Sequence, residues 1–348
     1  MAKKEPLALG PIFSALTIQQ EIKVLCSYSP DFKTLFQKEI ADFEGAEWLH
    51  ELDEGTAICR WPEDFRPFFC RHRFPIQVSR MFESSELQEV GAWSPGSHLV
   101  DRVKGLFSFQ LAANRRLPWS FGSLVPLWLD AFGLSGERME KRRPETVVSA
   151  YFHQSSTELT LYLGVSSPHW NLSPWMRGEC RIPRAKTSVS RAEQKLLEAL
   201  ELCPRLGGRR ALDLGAAPGG WTRILAERGF QVDAVDPAEL DPRVAALPEV
   251  RHHATTAGVF LEQQKGIAYQ VMVCDMKMEP VMASRLMLEF APLLDQHGWL
   301  ILTLKLPKGP SALKVARESL ESLSSSFQII QARQLFFNRN EVTVIARK

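Results

Sequence analysis

From Ala211 onward the chain alternates apolar runs with stretches of helical period, and that alternation constrains the fold more tightly than any other feature. Strand candidates at 211–214, 232–235, 271–274 and 299–304 are separated by helical patterns at 221–228, 281–294 and 311–323. Strands that alternate with helices pair in parallel, with helices covering both faces of the sheet. The alternation then stops. FQIIQARQLFFNRNEVTVIARK offers two strands, 327–335 and 341–346, joined by a segment too short for a helical crossover, so the last strand is expected to run antiparallel. The fold class expected for 188–348 is α/β, a mostly parallel sheet with one reversed strand.

Upstream, SVSRAEQKLLEALELC reads as a helix with Ser190 as N-cap and Glu193 completing a capping box. Residues 166–187 are rich in Pro, Ser and Arg without a sustained period and read as a linker that Trp170 and Trp175 pin to a domain surface. The first half is expected to be a smaller α+β domain over 21–165. Its signals are a strand at Ile22–Ser27, a helix at 31–43, and a hairpin built from 147–152 and 159–165. Residues 1–20 read as a flexible tail. A length of 348 residues suits two such domains. No apolar segment approaches the roughly 20 residues of a membrane span, and the N-terminus lacks the apolar core of a signal peptide. Six cysteines without a C-x-x-C pair suggest neither a zinc ribbon nor a disulfide framework, which fits a reducing cytoplasm. The net charge of +2 argues against a grossly basic nucleic-acid binder but leaves local basic clusters open.

The first strand of the α/β half ends in ALDLGAAPGGWT, a glycine-rich turn opening a helix. A phosphate-binding P-loop needs Lys-Ser/Thr after its last glycine, and here Gly220 is followed by Trp221 and Thr222. A dinucleotide fingerprint needs a second glycine where this chain has Ala217. What remains is Asp213-x-Gly215, a Pro218-Gly219-Gly220 turn, and an acidic residue, Asp236, at the end of the second strand. The glycines admit an amino-acid-like group and the Asp236 carboxylate can accept from both hydroxyls of a ribose. S-adenosyl-L-methionine has that shape. The donor contacts expected are Asp213, Gly215, Ala216, Ala217, Pro218, Gly219, Gly220, Trp221, Asp236 and Asp275.

An acceptor site belongs outside the carboxyl ends of the parallel strands. Asp275 and Lys305 end strands there, and Glu341 begins the reversed strand, which puts it on the same edge. Lys195, from the preceding helix, can join them. A Lys-Asp-Lys-Glu set suits methylation of a ribose hydroxyl, whose proton must be removed or shared as oxygen attacks the sulfonium methyl. Lys305 is the expected base, with a pKa lowered by desolvation and by the ammonium of Lys195; Asp275 and Glu341 orient both lysines. Lys277 and Lys308, close by in sequence, read as solvated or phosphate-facing.

The D-x-G-x-x-P-G-G-W string resembles the first motif of the FtsJ-like ribose 2′-O-methyltransferases. SRAEQKLLEAL, DLGAAPGGWT, VMVCDM, LKLPKG and QARQLFFNRNEVTVIAR together look like the RlmM family. Its members are bacterial enzymes that 2′-O-methylate a cytidine of 23S ribosomal RNA and carry an N-terminal THUMP-containing region. The resemblance is strong over about the last 190 residues and weak over the first 150. It implies a Rossmann-like class I methyltransferase domain at 188–348 after a THUMP-like RNA-binding region. It also implies catalytic Lys195, Asp275, Lys305 and Glu341, S-adenosyl-L-methionine as cofactor, no metal, and structured RNA as partner. One departure concerns the donor adenine: where an acidic residue often follows the third strand, this chain has Thr255 and Thr256.

Two basic stretches of the first half are candidates for RNA contact. In RPFFCRHRFPIQVSR, Arg66, Arg71, Arg73 and Arg80 interleave with Phe68, Phe69 and Phe74; the phenylalanines read better as a buried core rimmed by arginines. ERMEKRR supplies Arg138, Lys141, Arg142 and Arg143, which read either as phosphate contacts or as a solvated helix face. Cys70-x-His72 and the pair His252 and His253 lack the spacing of metal sites. Rival readings are a methyltransferase of transfer RNA or a capped RNA, a non-catalytic ribosome-assembly factor that keeps the fold, and an NAD-dependent oxidoreductase, disfavoured by Ala217.

Overall fold

The computed structural model describes residues 22–348 except 64, 84–85, 87–88, 142, 204–205, 265 and 267; the tail expected at 1–20 and Arg142 lie outside the described residues. The chain forms two compact units that divide between Glu179 and Cys180.

The N-terminal unit contains two four-stranded sheets. The first has the order β2-β3-β1-β4, from β1 (Ile22–Ser27), β2 (Glu47–Asp53), β3 (Thr56–Trp61) and β4 (His72–Pro75). The helix α1 (Lys33–Ala41) follows β1. The second sheet has the order β5-β8-β7-β6, from β5 (Val78–Glu83), β6 (Phe107–Ala113), β7 (Thr146–Gln154) and β8 (Glu158–Ser166); β7 and β8 pair antiparallel as the hairpin expected from sequence. A short helix α2 (Ser97–Val100) and α3 (Phe121–Ala131) supply Leu99, Leu124 and Trp128 to a core that also holds Phe107, Phe152 and Leu161. Ser120 caps α3, accepting from the Ser123 N–H.

Three features of this unit differ from the sequence reading or sharpen it. Arg73 is fully buried: its Nε donates to the Trp170 carbonyl at 2.9 Å, Nη1 donates to the Phe65 carbonyl at 2.9 Å, and its guanidinium lies 4.3 Å over the Trp170 ring. Desolvation lowers its pKa to about 10. It is therefore a packing residue, and Phe68, Phe69 and Phe74 are core with it. In the 166–187 stretch, Asn171 is fully buried and donates to Gln110 and Ser149 at 2.9 and 2.8 Å, so the first part of that segment is built into the N-terminal unit. His72 is buried against Gln110 at 2.7 Å.

The C-terminal unit holds one seven-stranded sheet in the order β11-β10-β9-β12-β13-β15-β14. Its strands are β9 (Arg210–Leu214), β10 (Gln231–Val235), β11 (Val250–His253), β12 (Tyr269–Cys274), β13 (Leu294–Lys305), β14 (Gln328–Arg333) and β15 (Glu341–Arg347). β9 to β13 pair in parallel, while β15 lies antiparallel between β13 and β14, as the short FFNRN connection requires. The helices are α4 (Glu193–Leu202), α5 (Gly220–Glu227), α6 (Pro242–Ala245), α7 (Ala257–Gln263), α8 (Pro280–Phe290) and α9 (Ala312–Leu323). Leu196 and Ala199 of α4 pack with Trp221, Ile224 and Leu225 of α5 in a core over β9 and β12. No helix among the described residues is long and apolar enough to cross a membrane.

The expected capping box at Ser190 is half realised. The helix begins at Glu193, whose carboxylate reaches back to the N–H groups of Val189 and Ser190 at 2.7 and 3.3 Å, but Ser190 is not the residue before the first helical turn. The buried Glu193–Arg223 ion pair at 2.5 Å then ties α4 to α5.

Candidate active site

The carboxyl ends of β9, β10, β12 and β13 share one edge of the sheet. The four catalytic candidates meet there. Lys305 closes β13 and stands opposite Glu341 in the antiparallel register of β15, while Asp275 follows β12, the neighbour of β13 on its other side. Lys305 Nζ donates to Asp275 Oδ1 and, at 3.1 Å, to Glu341 Oε1. Lys195, from α4, lies 2.6 Å from Glu341 Oε2 and 3.4 Å from Asp275. Each carboxylate thus touches both ammonium groups. All four side chains are between 14% and 19% exposed, enclosed but reachable.

Thr303 belongs to the same cluster and was not among the candidates. Its hydroxyl donates to Asp275 Oδ1 and accepts from Lys305 Nζ at 2.8 Å. The signal lies in the strand period: residues two apart on a strand share a face, so Thr303 had to point where Lys305 points.

The expected fall in the Lys305 pKa is not what the geometry produces. Burial disfavours the ammonium, but the charges of Asp275 and Glu341 and their hydrogen bonds outweigh it, and the pKa is raised above that of an ordinary lysine. Two carboxylates in direct contact count for more than partial desolvation or a second ammonium that those same carboxylates neutralise.

The glycine turn separates into interior and open parts. Asp213 is 1% exposed, with Oδ2 accepting from the Thr222 hydroxyl at 2.7 Å, and Trp221 is buried against α4, its Nε1 donating to the Ala192 carbonyl at 2.7 Å. These two side chains support the loop from within. Gly215 has φ +77° and a Cβ there would lie 2.3 Å from Met276 Cγ, so the position excludes a side chain on both grounds. Gly219, at φ +104°, is the N-cap of α5, and its missing Cβ leaves room for Val244. Ala216 is buried, Ala217 half-buried, Pro218 exposed and Gly220 buried. Asp236 links the turn to β10: Oδ2 accepts from the Ala217 N–H at 3.0 Å and Oδ1 from the Ala238 N–H at 2.8 Å. Thr256, one of the two threonines at the expected adenine position, caps α7 by accepting from the Val259 N–H at 3.4 Å.

Desolvation lifts the Asp213 pKa to about 7, with Asp275 and Asp236 adding to the rise and the Thr222 bonds opposing it. The folded carboxyl holds its proton where the unfolded one, near 4, has lost it. Its contribution to stability is therefore present below pH 4 and declines as pH rises towards 7. Asp213→Asn is expected to remove that decline, so the stability of the variant relative to the native protein rises between pH 4.5 and 8 by a few kcal/mol. Urea unfolding at the two pH values checks this; an equal gap at both refutes it.

Residues 188–296 match the profile of the family described as FtsJ-like methyltransferase. The chain is 36% identical over 182 residues to a protein of Halorhodospira halophila named ribosomal RNA large subunit methyltransferase M, covering 50% of this chain and 51% of that relative. A relative of the same name from Shewanella pealeana is 32% identical over 237 residues, covering 63% of each. The matches thus span about half to just under two thirds of the relatives' own length. The solved structure of TrmN from Thermus thermophilus aligns over 94% of this chain at 16% identity with a TM-score of 0.35, too shallow an overlap to bear on fold or function. The chain therefore carries an FtsJ-like methyltransferase domain at residues 188–296.

Proposed function

We propose that this chain is an RNA methyltransferase that transfers a methyl group from S-adenosyl-L-methionine to a ribose 2′-hydroxyl, that of a cytidine in 23S ribosomal RNA. The observation that carries this reading is the closed contact of Lys195, Asp275, Lys305 and Glu341 at the sheet edge beside the glycine turn. RNA binding alone needs no such cluster.

The residues at the turn fit the donor. Gly215 and Gly219 keep the main chain bare, the first N–H groups of α5 suit a carboxylate, and each Asp236 oxygen retains a lone pair for a ribose hydroxyl beyond its one main-chain bond. The donor supplies the electrophilic methyl group. On the protein side, Lys305 takes the hydroxyl proton and Lys195 stabilises the developing oxyanion, while Asp275 and Glu341 fix both lysines. Lys305 is held as an ammonium in the free protein, so its release as a base depends on a further cation, beyond Lys195, entering the pocket and competing for Asp275 and Glu341. Lys277 and Lys308, both exposed, suit backbone phosphates beside the site.

In this reading residues 188–348 carry the chemistry and the N-terminal region, with 21–165 as the expected THUMP-like part, holds structured RNA. Of its basic candidates, Arg80, Lys141 and Arg143 are exposed and available to phosphates, whereas Arg138 is engaged with the carbonyls of Val103 and Gly105. The test is methyl transfer from tritiated S-adenosylmethionine to unmodified 23S transcripts, with 2′-O-methylation mapped in cellular RNA with and without the protein. A label confined to transfer RNA would redirect the substrate, and RNA binding without any label would favour an assembly factor.

A further inference from the structure

Lys195 is the one member of the four that the sheet register does not place. Its helix must be fixed against the strand end that bears Glu341, and one residue does this directly. Glu198 lies three residues beyond Lys195 on α4, on the same face. It is 1% exposed, and its two carboxylate oxygens accept the consecutive main-chain N–H groups of Phe336 and Phe337 at 2.9 and 3.1 Å. Those residues form the turn between β14 and β15 that leads into Glu341.

The turn transmits the constraint. Asn338, 5% exposed, accepts from the Leu335 N–H at 2.8 Å and from the Thr343 hydroxyl at 3.0 Å, and its Nδ2 donates to Glu341 Oε2 at 3.4 Å. The same Oε2 receives Lys195 at 2.6 Å. The bonds close a ring from Glu198 through the turn, Asn338 and Glu341 to Lys195, and back along one turn of α4. Packing alone would be served as well by an apolar side chain, since burying a carboxylate is costly unless donors meet it. A carboxylate adds two directional bonds to adjacent donors, which fix the height and rotation of the turn relative to the helix.

We infer that Glu198 is a positioning residue for methyl transfer, setting Glu341 against Lys195 through the 335–338 turn. The inference rests on the reading of the four-residue cluster as the acceptor site. Glu198→Gln tests it, because the amide keeps one acceptor and turns a donor towards the second N–H.

Hydrogen–deuterium exchange reads the geometry without catalysis: the amides of Phe336 and Phe337 are expected to lose protection in the variant while those of β13 keep theirs. In the methyl-transfer assay with 23S transcripts, kcat is expected to fall about 10- to 100-fold, with KM for the RNA and the affinity for S-adenosylhomocysteine within about twofold of native. The rising limb of kcat with pH is expected to move to lower pH, because a loosened Glu341 no longer holds the Lys305 proton. Glu193→Gln, which breaks the pair between α4 and Arg223 of α5 without touching the 335–338 turn, serves as control and is expected to leave that limb in place. Unchanged exchange at Phe336 and Phe337 overturns the inference, as does a loss of kcat with an unmoved pH limb. A native protein that labels no RNA defeats the proposed function instead, and the exchange result then decides the role of Glu198 on its own.

Discussion

Lys305→Ala is expected to lower methyl transfer to RNA about 10³-fold while S-adenosylhomocysteine binds within about twofold of native, the range for loss of a positioned general base. Lys305 sits at the centre of the cluster, in contact with Asp275, Thr303 and Glu341, and none of its hydrogen bonds reaches the glycine turn. Donor affinity and chemistry are therefore separable at this residue. Lys305→Arg sharpens the test. A guanidinium keeps the positive charge between the two carboxylates but cannot give up its proton near neutral pH. If charge alone mattered, arginine would retain most of the activity; for a base it is expected to be nearly as inactive as alanine. Single-turnover rates at saturating donor, beside calorimetry with S-adenosylhomocysteine, distinguish the two, and retention of more than a tenth of native activity in Lys305→Arg would sink the base assignment.

Asp236→Ala is expected to give the opposite pattern, with affinity for S-adenosylhomocysteine falling about 30- to 100-fold, the equivalent of roughly 2–3 kcal/mol for lost hydrogen bonds to a charged acceptor. The carboxylate contributes twice. In the proposed reading it offers its remaining lone pairs to a ribose diol, and in the structure it holds the glycine turn through Ala217 and the start of the next segment through Ala238. The alanine variant loses both roles. Asp236→Asn keeps the size and one acceptor, so an intermediate loss is expected. The thermal shift that the ligand gives the native protein should shrink in the same order, because ligand stabilisation follows ln(1 + [L]/Kd). Equal affinity in native protein and Asp236→Ala would remove Asp236 from the donor site.

The alternation of strands and helices after residue 210 was legible because buried parallel strands are mostly apolar, as RALDL, QVDAV and YQVMVC are. The pieces that escaped have physical reasons. β11 reads VRHH, one apolar residue in four, because it lies at the sheet edge with a single neighbouring strand and none of its residues fully buried. α7 is seven residues long, too short to show a helical period, and Thr256 rather than any apolar stripe marks its start. In the first half, β2 buries no residue fully and β5 buries only Phe82, and polar residues interrupt both, so they give little alternation to read.

The candidate site divides in the same way. Sequence order and the reversal of the last strand were enough to bring Asp275, Lys305 and Glu341 to one edge, because strand polarity fixes which end of each strand faces which. Sequence alone determined this much: the sheet, its reversed strand and the residues at its carboxyl edge. Only the tertiary structure decided what those residues do to one another. Lys195 reaches Glu341 through the placement of α4, and Asp213 and Trp221 turn inward as supports of the loop. The pKa of Lys305 is raised, and Arg73 is a buried packing residue held by two carbonyls. The physical reason is common to these cases. Periodicity and polarity are properties of the chain read in one dimension, whereas burial, contact and the balance between desolvation and opposite charge are set by neighbours distant in sequence.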